Sequence, residues 1–238
     1  MSKLGKLHLI PTLLGDTDPE MVVPEHVLEC SRDLIHFIAE NEKTARRYLK
    51  KAGTRIPLND LQFYDLNKRT EDHQIPNLIK PLLKGTDMGL ISEAGLAGIA
   101  DPGAKVVELC HQKGIQVIPH TGASSIILAL IGSGFNGQQF TFHGYLPIDQ
   151  GERRKTIKNM EGINRDTGYT QIFMETPFRN EKLFDELTRV CHPQTKICVA
   201  REITTENEFI KTLSIKDWRK QKPSLHKRPC VFAIGSLR

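Results

Sequence analysis

Three glycine-containing turns are the segments of this 238-residue chain best suited to holding a ligand. They read PTLLGD at 11–16, SEAGLAGIADPG at 92–103 and TGASS at 121–125, and each follows an apolar run and precedes a stretch with helical spacing. Glycine lets the backbone approach a ligand closely, and free N–H groups at a helix start favour anions. In an open α/β sheet such turns lie outside the carboxyl ends of the strands, where ligands bind. The three turns therefore predict a shared pocket.

The glycine spacing excludes two common nucleotide-binding loops. Neither G-x-x-x-x-G-K-[ST] nor G-x-G-x-x-G occurs. The hexapeptide EAGLAG at 93–98 resembles the acid-plus-glycine loop of many S-adenosylmethionine enzymes. By itself it fits equally well a plain strand-to-helix turn in which Asp101 caps the following helix.

Metal, disulfide and membrane chemistry are not expected. The five cysteines never form C-x-x-C, and the nine histidines show no H-E-x-x-H spacing, so we predict free thiols and no metal. The apolar runs are too short to cross a bilayer, and the start MSKLGKLHLIP lacks the apolar segment of a signal peptide. We therefore expect a cytoplasmic protein with no membrane segment.

The positive charge is concentrated in the second part of the chain. Residues 151–238 hold 18 Lys and Arg against 11 Asp and Glu, a net +7, whereas residues 1–150 hold 15 against 17, a net −2. Such a charge balance is compatible with a nucleic-acid partner, although lysine-rich solvated surfaces produce it too.

Strands and helices that alternate along the chain must position the turns. Apolar runs rich in β-forming residues are predicted as strands, and the intervening segments with helical spacing as helices. The predicted strands are 7–11, 34–39, 88–92, 115–119, 140–146, 169–175, 196–200 and 230–235. The predicted helices are 24–32, 42–52, 75–84, 103–113, 124–133, 151–160 and 179–191. This order predicts two α/β domains, at 1–119 and 120–238. Unbroken apolar strands predict a mostly parallel sheet in the first, and alternating strands a mixed sheet in the second.

Read in order, six motifs carry a specific resemblance over nearly the whole chain. PTLLGD, LISEAGLAGIADPG, VIPHTGASSIILAL, FTFHGYLPIDQGERRK, IFMETPFR and VAREIT are similar to the successive motifs of the tetrapyrrole methylase superfamily. Within it they most resemble the branch that methylates the 2′-oxygen of a ribose in 16S ribosomal RNA. The sequence departs from that branch on the acceptor side, where AENEKTARR at 39–47 stands in place of a motif like EDTRHT.

The resemblance implies a class III methyltransferase, usually a homodimer, with S-adenosylmethionine in a cleft between two domains. Carried onto matching positions, it implies cofactor contacts from the turns and from strand ends of the second domain: Leu14, Ser92, Glu93, Ala94, Leu96, Ala97, Ser124, Ser125, Met174, Glu175, Ile203, Thr204 and Pro229. Each of these is also a plausible turn or core residue on its own.

The acceptor and the catalytic base stay open at this point. The segment QGERRKTIKN predicts a basic helix start that contacts RNA phosphates through Arg153, Arg154 and Lys155, with Arg179 as a further candidate, or else a solvated helix face. A base for a ribose hydroxyl could be Glu93, Glu175 or Glu202, which the sequence does not rank. The alternatives to an RNA methyltransferase are a methylase of a tetrapyrrole or other small molecule, and a non-catalytic RNA-binding homologue.

Overall fold

The computed structural model describes residues 3–236 and divides into two compact units, an N-terminal unit that ends at Ser124 and a C-terminal unit that begins at Ser125. The domain boundary predicted from the sequence lies a few residues earlier. No helix in the described residues is both long and apolar enough to span a membrane.

The N-terminal unit contains a parallel five-stranded sheet with helices on both faces. Its strands run in the order β3-β2-β4-β1-β5, and they are β1 (Leu7–Ile10), β2 (His36–Ala39), β3 (Gln62–Asp65), β4 (Met88–Ile91) and β5 (Val117–Pro119). Its helices are α1 (Pro19–Val22), α2 (Glu25–Asp33), α3 (Glu42–Ala52), α4 (Ile75–Leu78), α5 (Lys80–Leu83) and α6 (Gly103–Gln112), and a 3₁₀ turn covers Asp72–Gln74.

Both faces of this sheet are buried, as the unbroken apolar run of β4 predicts. Neighbouring residues of one strand enter opposite cores: Leu90 packs in one cluster and Ile91 in the other, and Ile38 and Phe37 of β2 divide in the same way. Side chains alternate between the faces of a strand, so a strand with two apolar neighbours needs cover on both sides. The parallel α/β arrangement is confirmed.

The C-terminal unit contains a mixed five-stranded sheet in the order β6-β7-β10-β8-β9. Only β6 and β7 are parallel; β10 is antiparallel to β7 and β8, and β9 is antiparallel to β8. Its elements are α7 (Ser125–Ser133), β6 (Phe140–Tyr145), α8 (Gln150–Thr167), β7 (Thr170–Glu175), α9 (Asn180–Val190), β8 (Lys196–Arg201), β9 (Phe209–Ser214), α10 (Ile215–Trp218) and β10 (Cys230–Gly235). The predicted mixed sheet is confirmed.

Local signals explain where several helices begin and end. Asn41 accepts hydrogen bonds from the N–H groups of Lys43 and Thr44 and so caps α3, which ends at Gly53 in the left-handed conformation with φ of 81°. The predicted helix 75–84 is wrong as a single element. Pro81 lacks an N–H and lies in the first turn of α5, which separates α4 from α5.

Candidate functional site

A pocket of about 440 Å³ opens at the carboxyl end of the N-terminal sheet. Residues 12–16 after β1 and 91–94 at the end of β4 form part of its wall, and α3 contributes Thr44, Arg47, Tyr48 and Lys51. Its volume lies within the range of about 300–1,000 Å³ that is usual for small-molecule sites.

Hydrogen bonds hold the first two glycine turns together. The Thr12 N–H donates to the carbonyl of Gly95 over 2.9 Å, and its hydroxyl donates to the carbonyl of Ser92 over 3.3 Å. The Ser92 hydroxyl in turn donates to the Gly95 carbonyl over 3.2 Å. Because these bonds satisfy buried polar groups, they fix the loop shape without using the outward-facing side chain of Glu93.

The third turn packs against the other two. A Cβ on Gly122 would lie 2.2 Å from Cβ of Pro11, so only glycine permits this approach. Gly95 has a φ of +75°, and a Cβ there would lie 3.0 Å from Leu14 Cδ2 and 3.1 Å from the Ala123 carbonyl oxygen. The structure thus brings together all three turns that the sequence singles out.

Asp101 closes the second turn. Its carboxylate accepts hydrogen bonds from the N–H groups of Gly98 and Gly103, and the latter bond, at 2.7 Å, joins it to the first residue of α6. Burial raises the pKa of Asp101, while these two bonds oppose that rise. The side chain therefore fixes the loop and the helix start at once.

Not every residue of the turns lines the pocket. Of the predicted cofactor contacts in the N-terminal unit, those that line the pocket are Leu14, Ser92, Glu93 and Ala94. Leu96, Ala97 and Ser124 belong to the same turns but are not part of the pocket wall, and Ser125 is the first residue of α7 in the C-terminal unit.

The basic wall of the pocket was not predicted from the sequence. Arg47 and Lys51 are one helical turn apart on α3, so both lie on the face that lines the pocket. Lys51 Nζ bonds to Asp16 Oδ1 over 2.8 Å, and the Asp16 side chain is fully exposed. The i, i+4 spacing of two cations in a helix that follows a strand was the available signal.

Glu40, which directly follows β2, was also not predicted from the sequence as a titratable group of the site. Its pKa is raised by burial first, and then by the negative charges of Asp101 and Glu93, while the backbone N–H of Glu93 donates to it and opposes the rise. A carboxyl group near a pocket wall with a raised pKa is suited to accept a proton. Its position in AENEKTARR, where the sequence departs from the resembled motif, was the signal.

The remaining predicted cofactor contacts gather at one end of the C-terminal sheet. Met174 and Glu175 end β7, Ile203 and Thr204 follow β8, and Pro229 precedes β10. The register brings them together because Cys230 of β10 pairs with Glu175 on one side and with Arg201 on the other. Two non-glycine residues of the turn after β8 have positive φ, Glu202 at 50° and Thr204 at 68°, which is a strained conformation.

Two of the three candidate bases are bound by arginines. Glu175 Oε1 lies 2.6 Å from Arg179 Nη2, and the Glu175 side chain is 2% exposed. Glu202 Oε2 bonds to Arg228 and lies 3.3 Å from Arg201 Nε. Glu93 is exposed at the pocket instead, with no arginine partner among its described contacts.

The four predicted RNA contacts have very different surroundings. Arg153 is 4% exposed; its guanidinium bonds to Glu186 and to the carbonyl groups of residues 147 and 148, so its charge is neutralised inside the unit. Arg154 has a side chain that is 51% exposed, and Lys155 is exposed. This placement argues against a phosphate contact by Arg153 and leaves Arg154 and Lys155 available.

Comparison with known proteins gives a consistent family. No protein-family model matches the chain. It is 31% identical over 204 residues to the ribosomal RNA small subunit methyltransferase I of Xylella fastidiosa, covering 86% of this chain and 70% of that protein. It is 28% identical over 233 residues to the protein of the same name from Haemophilus influenzae, covering 97% and 78%.

Solved structures show the same fold at low sequence identity. The methyltransferase CobJ superposes with a TM-score of 0.65 at 16% identity, covering 98% of this chain and 94% of that one. The uroporphyrin-III C-methyltransferase of Thermus thermophilus, complexed with S-adenosylhomocysteine, gives 0.57 at 15% identity and covers 98% of both chains. The chain therefore belongs to the ribosomal RNA small subunit methyltransferase I family, a family of S-adenosylmethionine-dependent methyltransferases with the tetrapyrrole methylase fold.

Proposed function

We propose that this chain transfers a methyl group from S-adenosylmethionine to a ribose 2′-oxygen of small-subunit ribosomal RNA. The observation that carries the proposal is the pocket whose wall the first two glycine turns form in part, with the third turn packed against them. The names of the curated relatives supply the acceptor, since each is described as acting on ribosomal RNA of the small subunit.

The chemistry of the pocket fits the methyl donor. Arg47 and Lys51 offer positive charge to a carboxylate, Glu93 offers negative charge to an ammonium group, and Leu14 offers apolar surface to an adenine ring. Bound S-adenosylmethionine would supply a methyl group activated by its positively charged sulfur, and transfer to the acceptor oxygen would release S-adenosylhomocysteine. The residues of the first two turns would hold the donor, the third turn supports them from behind, and positioning of this kind supplies much of the rate enhancement. The contacts predicted from Ser125 and from the C-terminal strand ends remain part of the proposal.

We assign the proton acceptor to Glu40. A ribose hydroxyl must lose its proton near the transition state, and a carboxylate with a raised pKa accepts it more readily than an ordinary one. Glu40 has such a pKa because of its burial and the nearby charges of Asp101 and Glu93. Glu175 and Glu202 are held by arginines and are better placed to order their own strand ends.

RNA contact is assigned to the exposed cations of α8, Arg154 and Lys155, with Arg179 as a further contact. Arg179 is one-third exposed and shares its charge with Glu175, so its contribution is smaller. The protein acts as a homodimer in the cytoplasm in this proposal. The support is the family resemblance and, for the compartment, five cysteines that are all free.

The proposal is tested with labelled S-adenosylmethionine and small ribosomal subunits from a strain that lacks this protein. Label should enter the RNA as an alkali-stable 2′-O-methyl nucleotide, and subunits from the parent strain should accept much less. Arg154→Ala plus Lys155→Ala should raise the KM for RNA and leave the Kd for S-adenosylhomocysteine unchanged, and Glu108→Ala plus Gln112→Ala on α6 is the matched surface control.

Two other results would contradict the proposal. Methylation of a tetrapyrrole such as uroporphyrinogen III, with none of the RNA, would show that the acceptor is a small molecule. Absence of S-adenosylhomocysteine binding at millimolar concentration in a calorimetric titration would show a non-catalytic homologue.

A further inference from the structure

Three side chains of metal-ligating types meet in the N-terminal unit, and none of them is among the residues that line the pocket. They are His8 of β1, Cys30 of α2 and His120, which directly follows β5. Within residues 3–236 they form the one group of three or more His, Cys, Asp or Glu whose ligand atoms all lie within 4.8 Å of one another.

The fold brings these residues together from distant parts of the sequence. β1 and β5 are adjacent parallel strands in which His8 pairs with Ile118, so His120 lies on the same face of the sheet as His8. The two imidazole rings stack with centroids 5.3 Å apart and an interplanar angle of 12°. Helix α2 covers this face, since Ile10 of β1 packs in the same core as Val27 and Leu28, and it supplies Cys30.

The distances between the ligand atoms match those of a tetrahedral zinc site. His8 Nδ1 lies 3.0 Å from His120 Nε2, and Cys30 Sγ lies 3.3 Å from the first and 3.7 Å from the second. Zinc bonds of about 2.0–2.1 Å to nitrogen and about 2.3 Å to sulfur, at tetrahedral angles, place two nitrogens about 3.3 Å apart and nitrogen and sulfur about 3.6 Å apart. Each observed distance is within about 0.3 Å of its expected value.

A carboxylate lies on the far side of one ring. Asp87 Oδ2 is 3.7 Å from His8 Nε2, and Asp87 Oδ1 accepts a hydrogen bond from the Lys6 N–H over 2.7 Å. Histidines that bind metals commonly direct their other ring nitrogen to a carboxylate, which fixes the tautomer with the proton away from the metal. Asp87 Oδ2 lies beyond hydrogen-bond distance of Nε2, but its negative charge favours the proton on that nitrogen. The lone pair of His8 Nδ1 then faces Cys30 and His120.

Partial burial favours a bound ion over three solvated groups. The His8 side chain is 12% exposed, and Cys30 and His120 are partly buried. Three atoms with lone pairs that face one another at this spacing repel unless a proton or a cation lies between them. One cation satisfies all three together, whereas each proton serves a single donor–acceptor pair.

We propose that His8 Nδ1, Cys30 Sγ and His120 Nε2 bind one Zn²⁺ ion, with water as the fourth ligand. Cys30 binds as the thiolate and releases its proton to solvent, and each histidine keeps the proton on its other nitrogen. Two imidazoles and a thiolate are ligands that zinc accepts readily. The ion joins β1 and β5 to α2 and so stabilises the N-terminal unit. The inference departs from the sequence-based expectation of no metal, which rested on spacing motifs alone.

The test uses the full chain without a polyhistidine tag, kept reduced with a phosphine. Titration with Zn²⁺ against a chromophoric chelator should give one equivalent per chain and an increase in the melting temperature. Co²⁺ in place of Zn²⁺ should give a thiolate-to-cobalt charge-transfer band together with the intense visible bands of a tetrahedral site. Cys30→Ser should abolish the charge-transfer band, and His120→Asn should weaken Zn²⁺ binding by at least about tenfold.

The matched controls are Cys110→Ala, at the other cysteine of the same unit, and His111→Asn, at an exposed histidine of α6. Both should keep one equivalent of Zn²⁺ and the cobalt spectrum. The proposal is overturned if the wild-type chain binds less than a tenth of an equivalent, or if Cys30→Ser keeps the charge-transfer band. It is equally overturned if circular dichroism shows His120→Asn folded and its Zn²⁺ affinity is that of the wild type.

Discussion

Substitution of two glycines in the same turn separates backbone strain from pocket shape. Gly95 and Gly98 both have positive φ, +75° and +88°, so alanine at either position adopts a left-handed conformation that costs about 1–2 kcal/mol of the free energy of unfolding. Their surroundings differ. A Cβ on Gly98 meets no atom within 4 Å, whereas one on Gly95 lies 3.0 Å from Leu14 Cδ2 and 3.1 Å from the Ala123 carbonyl oxygen.

Gly95→Ala should therefore lose more than Gly98→Ala. Each neighbour of the new methyl group must move by a few tenths of an ångström to restore ordinary contact, and overpacking of this kind costs about 1–3 kcal/mol. Leu14 lines the pocket and Ala123 belongs to the turn packed beside it, so we expect part of that cost, about 1 kcal/mol, in cofactor binding. This corresponds to a roughly fivefold rise in the Kd for S-adenosylhomocysteine.

The assay is calorimetric titration of both variants with S-adenosylhomocysteine, alongside urea unfolding to measure stability. Gly98→Ala should lose stability and keep the wild-type Kd. If the folded Gly95→Ala variant binds as tightly as Gly98→Ala, the contacts among the three turns do not shape the cofactor site, and our assignment of the pocket fails.

Two further predictions concern charged groups. Glu40→Gln should slow methyl transfer, and it should raise the melting temperature at about pH 8 but not below about pH 4. A raised pKa of Glu40 means that the folded wild-type chain loses stability as the pH rises above the ordinary value of 4.5 and this carboxyl group ionises. Melting curves and transfer rates across this pH range check both effects, and a variant no more stable than the wild type at pH 8 would contradict the burial of this carboxyl group. Arg153→Ala should lower the free energy of unfolding in urea by about 3–5 kcal/mol, because it leaves Glu186 buried beside one half-exposed arginine. Arg154→Ala should lower it by at most about 1 kcal/mol, and equal losses would mean that the two arginines share one role.

The sequence predicts the strands best where burial is complete. β10 has the predicted bounds 230–235 and is buried at every position, and β4 is buried throughout. The two strands that the sequence analysis missed, β3 and β9, are edge strands, and no residue of either is fully buried. An edge strand is covered on fewer sides, so its apolar pattern is weak even where its backbone pairing is regular.

The parts of the candidate site that local sequence patterns form could be predicted, whereas the parts that depend on contacts between distant residues could not. Glycine turns after strands are visible as local patterns, and the family resemblance then singled out Ser92, Glu93 and Ala94 within one of them. The burial of Arg153 could not, because it depends on Glu186, 33 residues away on a different helix. The same reason hides the cluster of His8 with its partners, whose sequence separations reach 112 residues.

The strand order of the N-terminal sheet also determines when the pocket can form during synthesis. β1 is made first, but its neighbours β4 and β5 begin only at residues 88 and 117. At about 5–20 residues per second, β1 has no partner strand for at least several seconds after it leaves the ribosome. The turn at 11–16 acquires its packing only once Gly95 and Gly122 have followed it out. The nascent chain therefore cannot complete the packing of the three turns around this pocket until about half of the protein has been translated.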